Sequence, residues 1–217
     1  MYQYITDKQF LKDMKCLCAD IVNQLVQSIN NDDLMTVEAH LVGSGAKNLI
    51  MQNANESVDL DYNLCVLAVF GISIDDGRKI KEHIQKHFNL ILRKFRLGDC
   101  KDSTSVLSTP LVHFKEGNQT EFKIDLAIVC ERNKYWERLI HNKTGFVAYD
   151  QWYWNQAPNS KGLTDKVRVL KEQDYWLEVR DVYLKKKNIY LCRSDKQKHP
   201  SFNVYIETIN EVYAKYF

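Results

Sequence analysis

Apolar side chains recur at helical spacing over residues 7–29, where Phe10, Leu11, Met14, Leu17, Cys18, Ile21, Val22, Leu25 and Ile29 fall on one stripe. Thr6 is the expected N-cap, with Gln9 completing a capping box and Ile5 stapling onto Phe10. The run Asn30-Asn31-Asp32-Asp33 ends the helix. Residues 35–42 alternate as a strand, with Val37, Ala39 and Leu41 on one face and Glu38, His40 and Val42 on the other. A second strand opens at Val58-Asp59-Leu60-Asp61-Tyr62-Asn63-Leu64 and continues into an apolar run ending at Phe70. Residues 74–95 form a second helix, with Ile80, Ile84, Phe88, Ile91, Leu92 and Phe95 on its apolar stripe.

Residues 106–114 read as a strand broken by Pro110, and Gly117-Asn118 turns the chain into a clean alternation from Glu121 to Val129. Residues 135–141 and 147–155 read as a hairpin dense in aromatics, among them Tyr149, Trp152, Tyr153 and Trp154. These rings suit either base stacking or a seam between lobes. Pro158-Asn159-Ser160 marks a boundary, and helical patterns follow over residues 161–172, 175–187 and 201–216. The pattern predicts an α+β protein with a mixed, twisted sheet covered by helices and a helical C-terminal lobe. The expected domains are residues 1–157 and 158–217.

Composition narrows the classes. A length of 217 residues allows one domain or a compact two-lobed body. A net charge of +2 points to no strongly electrostatic partner. Apolar runs stop short of the roughly 18 residues that a membrane span needs, and the first residues lack the apolar core of a secretory leader. A cytoplasmic protein is expected. Cys16, Cys18, Cys65, Cys100, Cys130 and Cys192 show neither CxxC nor zinc-finger spacing and read as free thiols.

The chemistry concentrates in acidic residues on strands. Asp59 and Asp61 are two apart, so they share a face, roughly 7 Å apart at the backbone. Leu60, Tyr62 and Leu64 point to the core. Asp125 lies on the polar parity of its own strand, opposite Phe122, Ile124, Leu126 and Ile128, and Lys123 shares that parity as a candidate cleft cation. If the two strands are neighbours about 4.8 Å apart, three carboxylates gather on one face. Such a gathering is costly unless a cation lies between them. Asp59-x-Asp61-x-Asn63 also opens like a calcium loop, but Leu64 stands where that loop needs glycine and Phe70 where it needs glutamate. Gly43-Ser44, following the first strand, supplies a turn whose backbone N–H groups suit phosphate.

A Gly-Ser turn, Asp-x-Asp on the next strand and a lone Asp on a later one resemble the DNA polymerase β-like nucleotidyltransferase superfamily. The template-independent branch is the most similar, with its oligoadenylate synthases and bacterial cyclic-oligonucleotide synthases. The resemblance covers roughly residues 35–130. The link from Ser44 to Asp59 is longer than is usual there, and Lys47-Asn48 replaces small residues. The resemblance implies metal-dependent transfer of a nucleoside monophosphate from an NTP to a hydroxyl, with pyrophosphate leaving. It implies Asp59, Asp61 and Asp125 as catalytic ligands of two Mg²⁺ or Mn²⁺ ions, and Gly43 and Ser44 as phosphate contacts. Lys47 and Lys166 are further phosphate candidates. The acceptor is open between a nucleotide, an RNA end, a small molecule and a protein, with no DNA template expected. Two other classes remain: a non-catalytic nucleotide sensor or antitoxin-like protein on the same fold, and an RNA-binding module. The latter would use Lys185-Lys186-Lys187 with Arg193, Lys196 and Lys198. The complete acid triad argues against the sensor, and the modest net charge against the RNA-binding module.

Overall fold

The computed structural model describes residues 1–157, 162–190 and 201–217. In chain order it contains β1 (Tyr2–Tyr4), α1 (Lys8–Asn30), β2 (Met35–Leu41), α2 (Gly43–Lys47), β3 (Met51–Asn53), β4 (Val58–Val69) and α3 (Gly77–Lys94). Then follow β5 (Lys101–Asp102), β6 (Leu107–Ser108), β7 (Phe122–Arg132), β8 (Tyr135–Asn142), a 3₁₀ turn (Val147–Tyr149) and β9 (Gln151–Gln156). The last elements are α4 (Leu163–Glu172), α5 (Trp176–Tyr190) and α6 (Ser201–Tyr216). The expected α+β class holds. Cys192 and the basic residues Arg193, Lys196 and Lys198 lie outside the described residues, as does the Pro158-Asn159-Ser160 boundary. Among the described residues, no helix is long and apolar enough to cross a membrane.

The chain forms two compact units. The larger contains Thr6–Asn48 and Ser57–Ala157. Its sheet runs β2-β4-β7-β6-β5, with β8 paired to β7 and β9 to β8. The β4–β7 pair is parallel and its neighbours are antiparallel, so the sheet is mixed. The parallel pair is possible because the long connection through α3 returns the chain to the same end of the sheet. The apolar stripes behave as their spacing predicts. Phe10, Met14, Cys18, Ile21, Val22, Leu25 and Ile29 of α1 are buried, as are Ile80, Ile84, Phe88, Ile91 and Leu92 of α3. Phe10 meets Phe114 and Phe122 edge to face, with ring centroids at 6.0 and 6.1 Å. Cys18, Cys65, Cys100 and Cys130 are buried free thiols, whereas Cys16 is exposed.

Local signals shift by a residue or more at several ends. The α1 cap is Asp7, not Thr6: Asp7 Oδ1 accepts from the Phe10 N–H at 2.9 Å. Gln9 closes no capping box and instead donates to Asp13 at 2.8 Å. The second helix starts at Gly77, capped by Asp76, three residues later than the pattern suggested. The strand expected over residues 106–114 shrinks to β6 and a single bridge between Val112 and Phe122. Pro110 offers no N–H to a longer ladder.

The smaller unit comprises Met1–Ile5, Leu49–Glu56 and the described part of Pro158–Phe217. This differs from the expected division at residue 157, because two short segments from the N-terminal part join the helices. β1 pairs antiparallel with β3, setting Tyr2 against Asn53 and Tyr4 against Met51. The Tyr2 N–H donates to Asn188 Oδ1 at 2.7 Å, and the Tyr4 hydroxyl donates to the Arg180 carbonyl at 2.8 Å. Leu49 and Met51 share a core with Leu170, Val179, Tyr183, Val204, Tyr205, Ile209 and Val212. Burial of these apolar groups is what draws the segment out of the first unit. The long link between Ser44 and Asp59 is this excursion.

The cap gives a direct test of the local reading. Asp7→Ala is expected to lower unfolding stability by about 1 kcal/mol, the usual loss for a removed N-cap. Thr6→Ala is expected to change it by less than about 0.5 kcal/mol. Urea denaturation of both variants, followed by circular dichroism, checks the pair.

Candidate active site

The parallel register of β4 and β7 sets Asp61 opposite Asp125 and Asp59 opposite Lys123. Because side chains alternate along a strand, these four groups share one face. Val58, Leu60, Tyr62, Leu64, Phe122, Ile124, Leu126 and Ile128 are buried on the other. Register across β6 and β7 adds Ser108, which lies opposite Asp125 and donates its hydroxyl to Asp125 Oδ1 at 2.5 Å. A row of Ser108, Asp125 and Asp61 therefore crosses three adjacent strands. Ser108 carries no motif and was not among the sequence candidates; only the register reveals it.

Lys123 supplies the positive charge. Its ammonium lies 3.0 and 2.9 Å from the two Asp125 carboxylate oxygens and 3.6 Å from Asp59 Oδ1. Burial works against that charge, but the hydrogen bond and attraction to Asp125, with help from Asp59, outweigh it and raise the lysine pKa. Asp61 is the strained member. Burial, then the charges of Asp125 and Asp59, push its pKa up to about 6, against the pull of Arg138 and Lys123.

The Gly-Ser turn closes on the same carboxylate. The Val42 N–H donates to the Asp61 carbonyl at 2.8 Å. Gly43 adopts φ +61°, and a Cβ there would stand 2.5 Å from Asp61 Oδ2. Only glycine permits both that backbone angle and that approach. Ser44 follows in the short α2, which ends at Asn48 in the left-handed conformation. The Lys47 ammonium lies 3.4 Å from the Gly43 carbonyl. Lys166 belongs to the helical unit, where it donates to Asn210 at 2.7 Å and lies 5.3 Å above the Tyr213 ring. Of the aromatic residues in the hairpin, Trp152 stacks on buried His141 at 4.2 Å and Trp154 donates to the Ile74 carbonyl at 2.8 Å. Tyr149 and Tyr153 are exposed.

The acid set suits a hard divalent cation: oxygen ligands on rigid strands, one carboxylate raised by its neighbours, and an ammonium already drawn among them. Lys123 pairs with two of the three carboxylates, those of Asp125 and Asp59. Among the described residues, the trios whose donor atoms all lie within 4.8 Å of one another are Asp32–His83–His87 and Glu38–His40–Cys65.

No family model matches the sequence, and no curated protein sequence matches it. Solved structures do match. CdnC of E. coli MS115-1 with ATP superposes with a TM-score of 0.57 at 15% identity, covering 94% of this chain and 60% of that one. Vibrio cholerae DncV, a cyclic AMP-GMP synthase and prokaryotic cGAS homologue, gives 0.52 at 11% identity over 82% of this chain and 45% of that one. The CdnC:HORMA-deltaN complex gives 0.52 at 16% identity, covering 91% of this chain and 57% of that one. The chain therefore spans about half the length of these proteins. The chain shares its fold with CdnC and with DncV, the latter a cyclic AMP-GMP synthase.

Two outcomes follow from the charges. Because the folded pKa of Asp61 exceeds its ordinary value of 3.8, the protonated form favours the fold. In EDTA, the protein should lose stability as pH rises from about 4 through about 6. Asp61→Asn should remove that loss, melting higher than wild type at pH 7 with a gap that closes below about pH 4. Lys123→Met should lower the melting temperature in EDTA but enlarge the rise produced by Mn²⁺, because Asp59 and Asp125 then lose the ammonium paired with them. Scanning calorimetry across pH, with and without Mn²⁺, measures both.

Proposed function

We propose that this protein is a divalent-metal-dependent nucleotidyltransferase that moves a nucleoside monophosphate from an NTP to a hydroxyl acceptor. The observation that carries this reading is the side-by-side placement of Asp61 and Asp125, with Asp59 on the same face and the Gly43 backbone against Asp61. The shared fold with CdnC, whose solved structure holds ATP, supports it.

Asp59, Asp61 and Asp125 would hold Mg²⁺ or Mn²⁺, with two ions expected when NTP is bound. The metal would offset the triphosphate charge and lower the pKa of the attacking hydroxyl. The chain's own groups divide the remaining work. Gly43 and Ser44 bind the β- and γ-phosphates through backbone N–H groups and the serine hydroxyl, and Lys47 adds charge beside them. Asp125, held by Ser108, orients the acceptor hydroxyl and takes its proton. The hydroxyl oxygen forms a bond to the α-phosphorus as the bond to the bridging oxygen breaks, and pyrophosphate leaves. Lys123, paired with Asp125 and Asp59, balances their charge and would give way to the metal. Lys166 carries no role in this scheme.

Asp125 serves the acceptor, so its loss should affect chemistry more than donor binding. Asp125→Asn is expected to keep NTP affinity within a few-fold and to lower turnover by about 10²-fold or more. Asp61→Asn is expected to weaken both metal–NTP binding and turnover. The measurements are calorimetry with each NTP and Mg²⁺ or Mn²⁺, and pyrophosphate release in the presence of nucleotide and RNA acceptors. Wild-type protein that binds NTP yet releases no pyrophosphate with any acceptor would overturn the enzyme in favour of a nucleotide sensor.

A further inference from the structure

A second set of ligating side chains lies outside the acid site, between the end of α1 and the middle of α3. His83 and His87 are four residues apart on α3 and so share one helix face, with ring centroids 4.5 Å apart. Asp32, in the turn that follows α1, brings Oδ2 to 2.9 Å from His87 Nε2 and 3.6 Å from His83 Nε2. Ser28 of α1 meets the remaining ring nitrogen of His87, Nδ1, at 2.8 Å. All three donor atoms lie within 4.8 Å of one another.

We infer that Asp32, His83 and His87 form a binding site for one borderline divalent transition-metal ion, Zn²⁺ being the best match. The first ground is spacing. Zinc bonds of about 2.0–2.1 Å in tetrahedral geometry separate neighbouring ligand atoms by roughly 3.3 Å. The observed 2.9 and 3.6 Å bracket that value. The second is satisfaction of polar groups. Beside the His87–Asp32 hydrogen bond, His83 Nε2 is buried with no hydrogen-bond partner among the described residues. An unpaired buried nitrogen of this kind is destabilising, and a cation coordinated by all three groups removes that cost. The third is orientation. The Ser28 hydroxyl fixes the His87 ring from its far side, the arrangement that metal-bound histidines generally show.

The donor set separates this site from the acids of the sheet. Two imidazoles and one carboxylate favour Zn²⁺ and its neighbours in the transition series, whereas three carboxylates favour Mg²⁺ or Mn²⁺. The Asp32 side chain is about half exposed, so an ion has a path in and water can complete its coordination. A bound ion would clip the α1 turn to α3, behind the helix stripes that bury Ile29, Ile84 and Phe88. The other trio is a poorer ligand set. Glu38 and His40 are exposed, and burial pushes the Cys65 thiol up to about 11, away from the thiolate that a metal needs.

The test titrates ZnCl₂ into a His40→Ala/Asp61→Asn background, which disables both competing sites. Calorimetry is expected to give one Zn²⁺ per chain, with a rise in melting temperature. Asp32→Asn and His83→Gln, each added to that background, are expected to lower Zn²⁺ affinity roughly tenfold or more. Co²⁺ should show the intense visible bands of a four-coordinate site, and these should be lost with His83→Gln. Asp32→Asn, at a half-exposed turn, keeps the test decisive if the buried histidine change prevents folding. Unchanged Zn²⁺ affinity in Asp32→Asn, or no Zn²⁺ binding by the background protein, overturns the site. Neither result bears on the nucleotidyltransferase reading, which depends on other residues.

Discussion

Two carboxylates are held side by side by a parallel backbone ladder, and their mutual repulsion shapes the polar face of the sheet. The β4–β7 register that opposes Asp61 and Asp125 is fixed from the other face, where Leu60, Tyr62, Ile124 and Leu126 are buried. A slip of one residue would turn every one of these apolar groups to the opposite side. Hydrophobic burial therefore enforces an electrostatic arrangement that the acids alone would avoid. The molecule answers with Lys123 between Asp59 and Asp125 and with Ser108 on Asp125. Burial first, and then the charges of Asp125 and Asp59, hold the Asp61 pKa high.

Much of this was legible in the chain itself. Period-two alternation placed Asp59, Asp61, Lys123 and Asp125 on polar faces, and the Gly-Ser turn stood at the end of the preceding strand. The helix stripes of α1 and α3 followed their spacing closely, because long amphipathic runs leave few alternatives. Most of the illegible parts share one cause: they depend on pairing between distant segments. Ser108 reaches Asp125 through the β6–β7 register, which no local pattern encodes. Residues 51–53 are too short a run to announce a strand, yet β3 exists because β1 lies nearly fifty residues upstream. His83 and His87 have readable i,i+4 spacing, but Asp32 completes the trio only through the packing of α1 on α3. Asp7 and Thr6 are both competent caps, and the choice between them turns on where the first helical turn closes.

Polar groups buried in the larger unit show how fully that packing is specified. His141 sits between Asp102 and Asp150 at 2.6 and 2.9 Å, and the buried Lys81 ammonium reaches Asp102 at 2.6 Å. Removing one partner from such a network strands the others without solvent. This network ties α3 and β5 to β8 and the start of the chain's aromatic hairpin.

The excursion of Leu49–Glu56 has a consequence for modularity. The chain passes between the two units at residues 5–6, 48–49, 56–57 and 157–158. The Gly43-Ser44 turn and the paired acids thus belong to one unit but are joined through a segment of the other. No single cut yields the larger unit as one continuous piece. Severing the chain after Ala157 would leave Leu49 and Met51 without Val179, Tyr183 and Ile209 to cover them, and β1 and β3 without Asn188 and Arg180. A change of chain length in that segment is therefore a change in the link between the Gly43-Ser44 turn and Asp59 as well as in the helical core.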